Sequence, residues 1–304
     1  MSCFWWLKAD KKSNVPSHIP HHENSIPSPQ LRQSDFRYQR MQKLKSRTGH
    51  QECGEEHETK CIQGYPPAPT TFLIVETDDI YAEHPFIYAK IVPSANTILL
   101  IDTGCGGASN DPDIEITSLR EFLETTAVAD NGGKPLNEQG RMRYVIVLSH
   151  CHYDHILGVE QFTVDSPILA SAYSPSFISP INLPAHSLCK GLAVRTPTYT
   201  PILVPHQSSI LGGGAPLGVT LFHTPGHTPD ELALWDEKEK MLYVGDTLYE
   251  WEHIIFPNEG NIMTWLSSLD ALVALVAQSP SPNEIRINCG HRTALRPALE
   301  QKTA

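Results

Sequence analysis

Short apolar runs separated by polar loops make up most of the chain from about residue 70 onward. Runs of this length that are rich in β-branched residues are typical of buried strands. They predict strands at 70–75, 85–92, 97–101, 144–148, 167–171, 219–223 and 285–288, and a hairpin formed by 232–235 and 241–244. Between the hairpin segments lies a charged turn, which favours a tight reversal of the chain at that point.

Two segments have helical signals instead. Ser118 and Glu121 form a capping box that opens a short helix from 119 to about 125. The clearest helix follows Asn261, a plausible N-cap, and its apolar residues recur at helical spacing. These apolar residues are Ile262, Trp265, Leu266, Leu269, Leu272, Val273 and Val276. Strands and helices therefore alternate with hairpins, which predicts an α/β or α+β class with two sheets between outer helices.

Two regions lack such periodicity. Residues 1–66 are polar, with scattered Pro, Ser, Gln, His and Lys, and are predicted to be a disordered or poorly ordered extension. The remaining residues, 67–304, are predicted to form the catalytic domain. Residues 172–217 are rich in Pro, Ser and Gly, and they are interpreted as an insertion that caps the functional site.

Composition narrows the possible partners and location. The formal net charge is −11, but residues 1–66 carry ten Lys/Arg against seven Asp/Glu, so the rest of the chain carries −14. An acidic body argues against nucleic acid as a partner, because phosphate binding depends on Lys and Arg. The chain contains no apolar run of about 18 residues, so no membrane span is expected. Seven cysteines without a CxxC pair favour reduced thiols, and we expect a cytoplasmic protein.

Four potential metal ligands lie within six residues directly after the predicted strand 144–148. They are His150, His152, Asp154 and His155. In an extended backbone His150 and His152 point to the same side, whereas Cys151 points away. Asp154 and His155 require the chain to turn, so they are better placed for a second, adjacent metal ion.

These residues form a His-Cys-His-Tyr-Asp-His segment, and other motifs accompany it in order along the chain. They are Asp102-Thr-Gly upstream, Thr-Pro-Gly-His ending at His227, Gly245-Asp246, and Gly290-His291. In this order the motifs resemble those of the metallo-β-lactamase-fold hydrolase superfamily over roughly residues 68–296. The resemblance implies a four-layer αβ/βα sandwich and two metal ions. The first ion would be held by His150, His152 and His227, the second by Asp154, His155 and His291, with Asp246 between them.

The resemblance also implies a chemistry. Such sites hold two zinc ions, with iron as the other possibility, and in two-metal sites bound water reaches a pKa of roughly 7. The expected reaction is hydrolysis of a small ester, lactone or thioester by a bridging hydroxide. Asp154 or Asp246 would return a proton to the leaving group, and Tyr249 would donate to the oxyanion. Asp102 is expected to hydrogen-bond the ligand loop and not to bind metal.

Several alternatives remain open at this point. A bridging carboxylate disfavours β-lactam hydrolysis, and only 13 residues follow His291, so the helical domain of glyoxalase II is not expected. The offset of Tyr249 from Asp246 resembles that of lactonases, but a packed aromatic residue is equally compatible. One alternative is an enzyme similar to the persulfide dioxygenases, which resemble this scaffold but use one iron. Another is a non-catalytic binding protein that retains the fold. Pocket candidates are Tyr81, His186, Trp251 and His253, and His223 is interpreted as a packing or outer residue.

Overall fold

The structure, a computed structural model, describes residues 62–299. Thirteen strands and four α-helices lie within that range. The strands are β1 (Ile62–Ala68), β2 (Thr71–Glu76), β3 (Phe86–Val92), β4 (Thr97–Ile101), β5 (Arg143–Val147), β6 (Ile168–Ser171), β7 (Ile202–Val204), β8 (Ser208–Gly212), β9 (Ala215–His223), β10 (Leu232–Asp236), β11 (Met241–Tyr243), β12 (Arg286–Asn288) and β13 (Arg296–Pro297). The helices are α1 (Leu119–Thr125), α2 (Tyr153–Ile156), α3 (Leu183–His186) and α4 (Ile262–Gln278).

The first sheet contains seven strands in the order β1-β2-β3-β4-β5-β6-β7. Strands β1 to β4 pair antiparallel, whereas β4, β5, β6 and β7 run parallel. In the central pair Ile101 lies opposite Val147, so β4 and β5 end side by side. Because parallel strands end at the same edge of a sheet, the loops that begin at Asp102 and Leu148 emerge together.

The second sheet contains six strands in the order β13-β12-β11-β10-β9-β8. Strand β10 pairs antiparallel with both β9 and β11, and β11 pairs parallel with β12. Tyr243 at the end of β11 lies opposite Asn288 at the end of β12. The segments that lead to Asp246 and His291 therefore also leave a sheet next to each other.

Apolar side chains pack the two sheets face to face and cover their outer faces with helices. Leu99 and Val147 of the first sheet share one buried cluster with Val219 and Leu234 of the second. On the other face of the first sheet, Ile146 and Leu100 pack with Leu119 and Phe122 of α1. On the outer face of the second sheet, Leu242 and Val244 pack with Leu272 and Val276 of α4. The predicted sandwich of two sheets between helices is confirmed.

Both predicted helices are present with the predicted caps. The Ser118 side chain accepts the backbone N–H of Glu121, and Asn261 Oδ1 accepts the N–H groups of Met263 and Thr264 at 3.0 Å each. The apolar stripe of α4 is wider than its buried face, because Ile262 is 58% exposed while Leu272 is 5% exposed. Spacing therefore identified the helix correctly, although it overestimated how much of the apolar stripe is buried.

Three predictions of local structure need correction. Residues 62–66, assigned to a disordered extension, belong to edge strand β1, which contains Pro66 and Pro67 and changes register between Tyr65 and Ala68. Proline is tolerated there because an edge strand has backbone N–H groups that need no partner in the sheet. Residues 202–217, assigned to the insertion, instead supply β7, β8 and the start of β9. A further short strand, β13, follows β12 and pairs with it, although no strand was predicted after 285–288. The expectations for residues 1–61 lie outside the described residues.

The expectations about thiols and membranes can be compared with the described residues. Cys105, Cys151, Cys189 and Cys289 are all buried free thiols. Within residues 62–299, no helix combines the length and apolarity that crossing a bilayer requires.

Candidate metal centre

The ligand loop begins where β5 ends and continues into the short helix α2. His150 and His152 lie in the extended segment, and Asp154 and His155 follow in the first turn of α2. The thiol of Cys151, between the two histidines, contacts Asp230, and burial raises its pKa well above the ordinary value. The alternation of an extended chain therefore directs the imidazoles to one side and the thiol to the other.

The first group of ligand atoms consists of three imidazole nitrogens. His152 Nδ1 lies 3.0 Å from His150 Nε2 and 3.1 Å from His227 Nε2. His227 reaches the group from the loop after β9. There Gly226 has φ +154°, and a Cβ at this position would lie 2.4 Å from Trp265 Cα in α4. Only glycine allows this turn to pack so closely against the helix and present His227.

The second group joins the ligand loop to the end of β12. His291 Nε2 lies 3.0 Å from Asp154 Oδ2, and His155 Nε2 lies 3.6 Å from the same oxygen. Asp246 lies between the two groups. Its Oδ1 is 3.5 Å from His155 Nε2, and its Oδ2 is 3.9 Å from His150, His227 and His291 Nε2. The seven predicted ligands are thus brought together, and each is at most 8% exposed.

Outer hydrogen bonds orient three of the five candidate histidines, so that Nε2 faces the centre. His155 Nδ1 lies 3.0 Å from Asp102 Oδ2, His227 Nδ1 lies 2.7 Å from the carbonyl oxygen of Ile255, and His291 Nδ1 lies 3.0 Å from that of Glu83. Each acceptor favours a ring proton on Nδ1, so Nε2 faces inward, where it can bind a cation once it carries no proton of its own. Asp102 also accepts the N–H and hydroxyl of Ser149, at 2.7 Å and 2.8 Å. The predicted hydrogen bonds between Asp102 and the ligand loop are present.

The electrostatics of the first group suit a cation. Burial lowers the pKa of His152 to about 4, and it also lowers the pKa values of His150 and His227. The three rings are therefore neutral at pH 7. The lone pairs of their three facing nitrogens converge, and no proton is available to join all three nitrogens by hydrogen bonds. Converging imidazole nitrogens with a neighbouring carboxylate are a donor set for zinc or iron.

The second group attracts positive charge. Burial opposes ionisation of Asp154, but the charge of His155 and a hydrogen bond from His291 lower its pKa to about 2. The nearby charges of Asp154 and Asp246 likewise outweigh burial and raise the pKa of His155 and of His291. His155 Nε2 and Asp246 Oδ1 are buried without a hydrogen-bond partner in the described structure. These two unpartnered ligand atoms fit a bound cation, which would provide a partner for both.

Tyr249 lies beside this centre. Its ring centroid is 6.2 Å from that of His291, and its hydroxyl interacts with Asp246. Burial raises the pKa of the hydroxyl well above 10, and the charge of Asp246 adds to the effect. The ring also packs against the apolar cluster under α4. Tyr249 therefore serves in packing and also presents a protonated hydroxyl next to a candidate ligand.

Glu231 is a site residue that the sequence pattern did not reveal. It is fully buried immediately before β10, where its Oε1 accepts the backbone N–H of Asp246 at 3.0 Å. Its Oε2 lies 3.6 Å from His150 Nδ1. The carboxylate thus touches a member of the first group and the residue shared by both groups. The available signal was an acidic residue immediately before an apolar strand, which by itself is typical of a turn.

The predicted pocket residues have different surroundings. Tyr81 packs edge to face on Tyr153 of α2, with ring centroids 5.2 Å apart. His186 stacks on Phe177, and Trp251 and His253 are exposed. His223 contacts the carbonyl of Val204 and not the centre, so the packing interpretation holds.

Part of the predicted insertion does reach the ligand loop. The carbonyl oxygen of Ser187, just after α3, accepts the N–H of Tyr153 at 3.0 Å. A cleft of about 300 Å³ beside β6 and β7 is lined by Thr163, Tyr199 and Ile202 among others, and it contains none of the candidate ligands. The candidate ligands therefore lie at the shared edge of the two sheets and not in that cleft.

A four-layer sandwich with histidines and aspartates gathered at the edge of its sheets defines a metal-site protein of the αβ/βα class. The model of the metallo-beta-lactamase superfamily matches residues 91–278, and the chain belongs to that superfamily. The resemblance seen in the motifs is confirmed. Solved structures agree on the fold. A metallo-beta-lactamase family protein from Thermus thermophilus aligns with a TM-score of 0.53 and 18% identity, covering 75% of each chain.

Curated relatives carry different names. The "Putative transcription factor avaE" of Aspergillus versicolor is 35% identical over 213 residues, which cover 68% of this chain and 62% of that protein. Acyl-coenzyme A thioesterase MBLAC2 from Homo sapiens is 24% identical, covering 61% of this chain and 67% of the human protein. A hydroxyacylglutathione hydrolase from Xylella fastidiosa (strain M12) is 31% identical, covering 52% and 50%. The match thus spans about half to two thirds of the length of these relatives.

Proposed function

We propose that the protein is a metal-dependent hydrolase of a small thioester, ester or lactone, with two zinc ions as the expected cofactor. The observation that carries the proposal is the shared position of Asp246. One carboxylate lies within 3.9 Å of His150 and His227 in the first group and of His291 in the second. Two adjacent sites joined by a carboxylate are the arrangement that two-metal hydrolysis requires.

The candidate metal ligands and the residues around them are assigned different roles in this reaction. Bound at these residues, two divalent cations would supply hydroxide near neutral pH and stabilise the charge of an oxyanion. Tyr249 keeps its hydroxyl proton because burial raises its pKa, so it would be able to donate a hydrogen bond to a substrate oxygen placed beside Asp246. Asp154 or Asp246, whose pKa values are lowered in this environment, would take up the proton of the attacking hydroxide and pass it to the leaving group.

Thioesters are the first substrate class to test. Two relatives are named for thioester hydrolysis, an acyl-coenzyme A thioesterase and a hydroxyacylglutathione hydrolase. The name of the Aspergillus relative suggests a role in transcription, but residues 67–304 carry a net charge of −14. A body of that charge repels nucleic acid, so we propose a small-molecule substrate. The buried free thiols of Cys105, Cys151, Cys189 and Cys289 support a cytoplasmic location, which we propose as well.

Metal analysis together with activity tests this proposal. The purified protein is expected to contain close to two zinc equivalents and to hydrolyse members of a thioester, ester and lactone panel. Removal of metal by a chelator should abolish the activity, and added zinc should restore it. A folded protein without metal, or a metal-loaded protein inactive on the whole panel, would refute the proposal. Iron with oxygen uptake on a persulfide would replace it by an oxygenase.

A further inference from the structure

A short segment, residues 249–255, connects the two halves of the candidate centre; we call it the strap. At its first end, Tyr249 lies against His291, and the N–H of Glu250 donates to Thr293 Oγ1 at 2.8 Å. At its other end, the carbonyl oxygen of Ile255 lies 2.7 Å from His227 Nδ1. The strap is thus attached to one ligand of each group.

The attachment points lie close to the same carboxylate. His227 Nε2 and His291 Nε2 are each 3.9 Å from Asp246 Oδ2. A segment that begins beside His291 and ends beside His227 must therefore pass along the rim of the centre. A substrate whose reacting carbonyl lies near Asp246 has to extend the rest of its length past this rim.

The strap presents apolar side chains to solvent at that rim. Trp251 is 75% exposed and Ile255 is 76% exposed, although the neighbouring ligands are nearly fully buried. Trp251 also has φ +64°, a backbone conformation that bulky residues rarely adopt. Backbone conformations of this kind persist where the surrounding structure imposes them, often at ligand-binding sites. Single exposed apolar residues are ordinary elsewhere on a surface, but these two share one short segment beside the centre.

We propose that Trp251 and Ile255 bind the acyl chain of the substrate and make the protein selective for long acyl groups. This inference rests on the proposed function, since it assigns the acyl part of the thioester or ester to the strap. Covering these side chains with methylene groups removes apolar surface from water, and each added methylene in contact strengthens binding. An acetyl group ends at the reacting carbonyl and gains nothing from the strap.

A chain-length series tests the assignment. The substrates are N-acetylcysteamine thioesters of acetate, hexanoate and decanoate, and the released thiol is measured. Trp251→Ala and Ile255→Ala are expected to lower kcat/KM for decanoyl thioester by about tenfold and for acetyl thioester by less than about twofold. Ile255→Ala retains the backbone carbonyl that contacts His227, so its metal content should equal that of the wild type. Val164→Ala is the matched control, because Val164 is 93% exposed and has no part in the strap.

Two further outcomes separate the inference from the proposed function. An equal loss for all chain lengths would show that the strap only supports the ligands, and this would overturn the acyl assignment. A wild-type protein that hydrolyses none of the thioesters would refute the proposed function instead. Acyl binding is then measured directly by titration with dansylated undecanoate. The affinity should fall about tenfold in Trp251→Ala, and equal affinities in wild type and variant would overturn the inference.

Discussion

Replacing Asp102 with asparagine tests whether outer hydrogen bonds control metal binding at the second group. Asp102 is 2% exposed and has φ +66°, a conformation that asparagine also tolerates. Its Oδ1 accepts the N–H of Ser149, and its Oδ2 accepts the hydroxyl of Ser149 and faces His155 Nδ1. The substitution therefore preserves shape and backbone and changes only the hydrogen-bonding capacity.

An amide places an NH₂ group at one of these two oxygen positions, so a donor faces a donor in either orientation. When it faces His155, the ring proton is driven to Nε2, the atom 3.6 Å from Asp154 and 3.5 Å from Asp246. A protonated Nε2 cannot bind a cation. Loss of such an outer partner typically weakens metal binding about 10- to 100-fold, which is about 1.4–2.7 kcal/mol.

Zinc titration monitored by calorimetry measures the effect on each of the two equivalents. In Asp102→Asn one equivalent should bind about 10- to 100-fold more weakly, while the equivalent held by His150, His152 and His227 should change less. Asp165→Asn is the control, since Asp165 pairs with Arg120 at the surface. Circular dichroism verifies that both variants fold. Two equivalents bound with wild-type affinity by Asp102→Asn would refute the reasoning.

Three further predictions concern other residues of the site and its supporting loops. His227→Ala removes one of three imidazoles from the first group, so activity should fall by at least about 100-fold, while the melting temperature measured with a chelator stays near that of the wild type. Glu231→Gln keeps the shape of the side chain but places an NH₂ group beside His150 Nδ1 or the backbone N–H of Asp246, where the wild type has a carboxyl oxygen, and it should weaken zinc binding by about tenfold; an unchanged titration would contradict this. Burial raises the pKa of Glu76 from 4.5 to about 8. The folded protein therefore retains a proton that the unfolded chain releases, so the free energy of unfolding should decline as the pH rises from about 4.5 to 8. Glu76→Gln should flatten this decline in urea unfolding, and an identical pH profile would show that Glu76 does not titrate in this range.

Local sequence signals predicted the helices and strands that depend on residues close to one another along the chain. The Ser118 and Asn261 caps satisfy N–H groups two or three residues away, so sequence alone contains both partners. The buried strands β4 and β5 are likewise marked by their own apolar residues. Strand β1 was missed because its stability comes from pairing with β2, and its two prolines argue locally against a strand.

The hydrogen-bond partners of the candidate ligands, in contrast, could not be predicted from local sequence. His291 and His227 are oriented by the carbonyl groups of Glu83 and Ile255, which are 208 and 28 residues away along the chain. A backbone carbonyl has no side-chain signature, so no motif marks it. Glu231 was missed for a related reason, because its role depends on the position of Asp246, which lies in the loop after the next strand, β11.

The sequence by itself determined the class of fold and the identity of the candidate ligands, because strand patterns, helix caps and the spacing of His150 and His152 are local properties of the chain. The tertiary structure decided how the ligands group and what orients them. The parallel pairs β4–β5 and β11–β12 end at the same edge, and this brings Asp102, His150, Asp246 and His291 together. Convergence of this kind depends on strand order and register, which are fixed only when distant segments pack against each other.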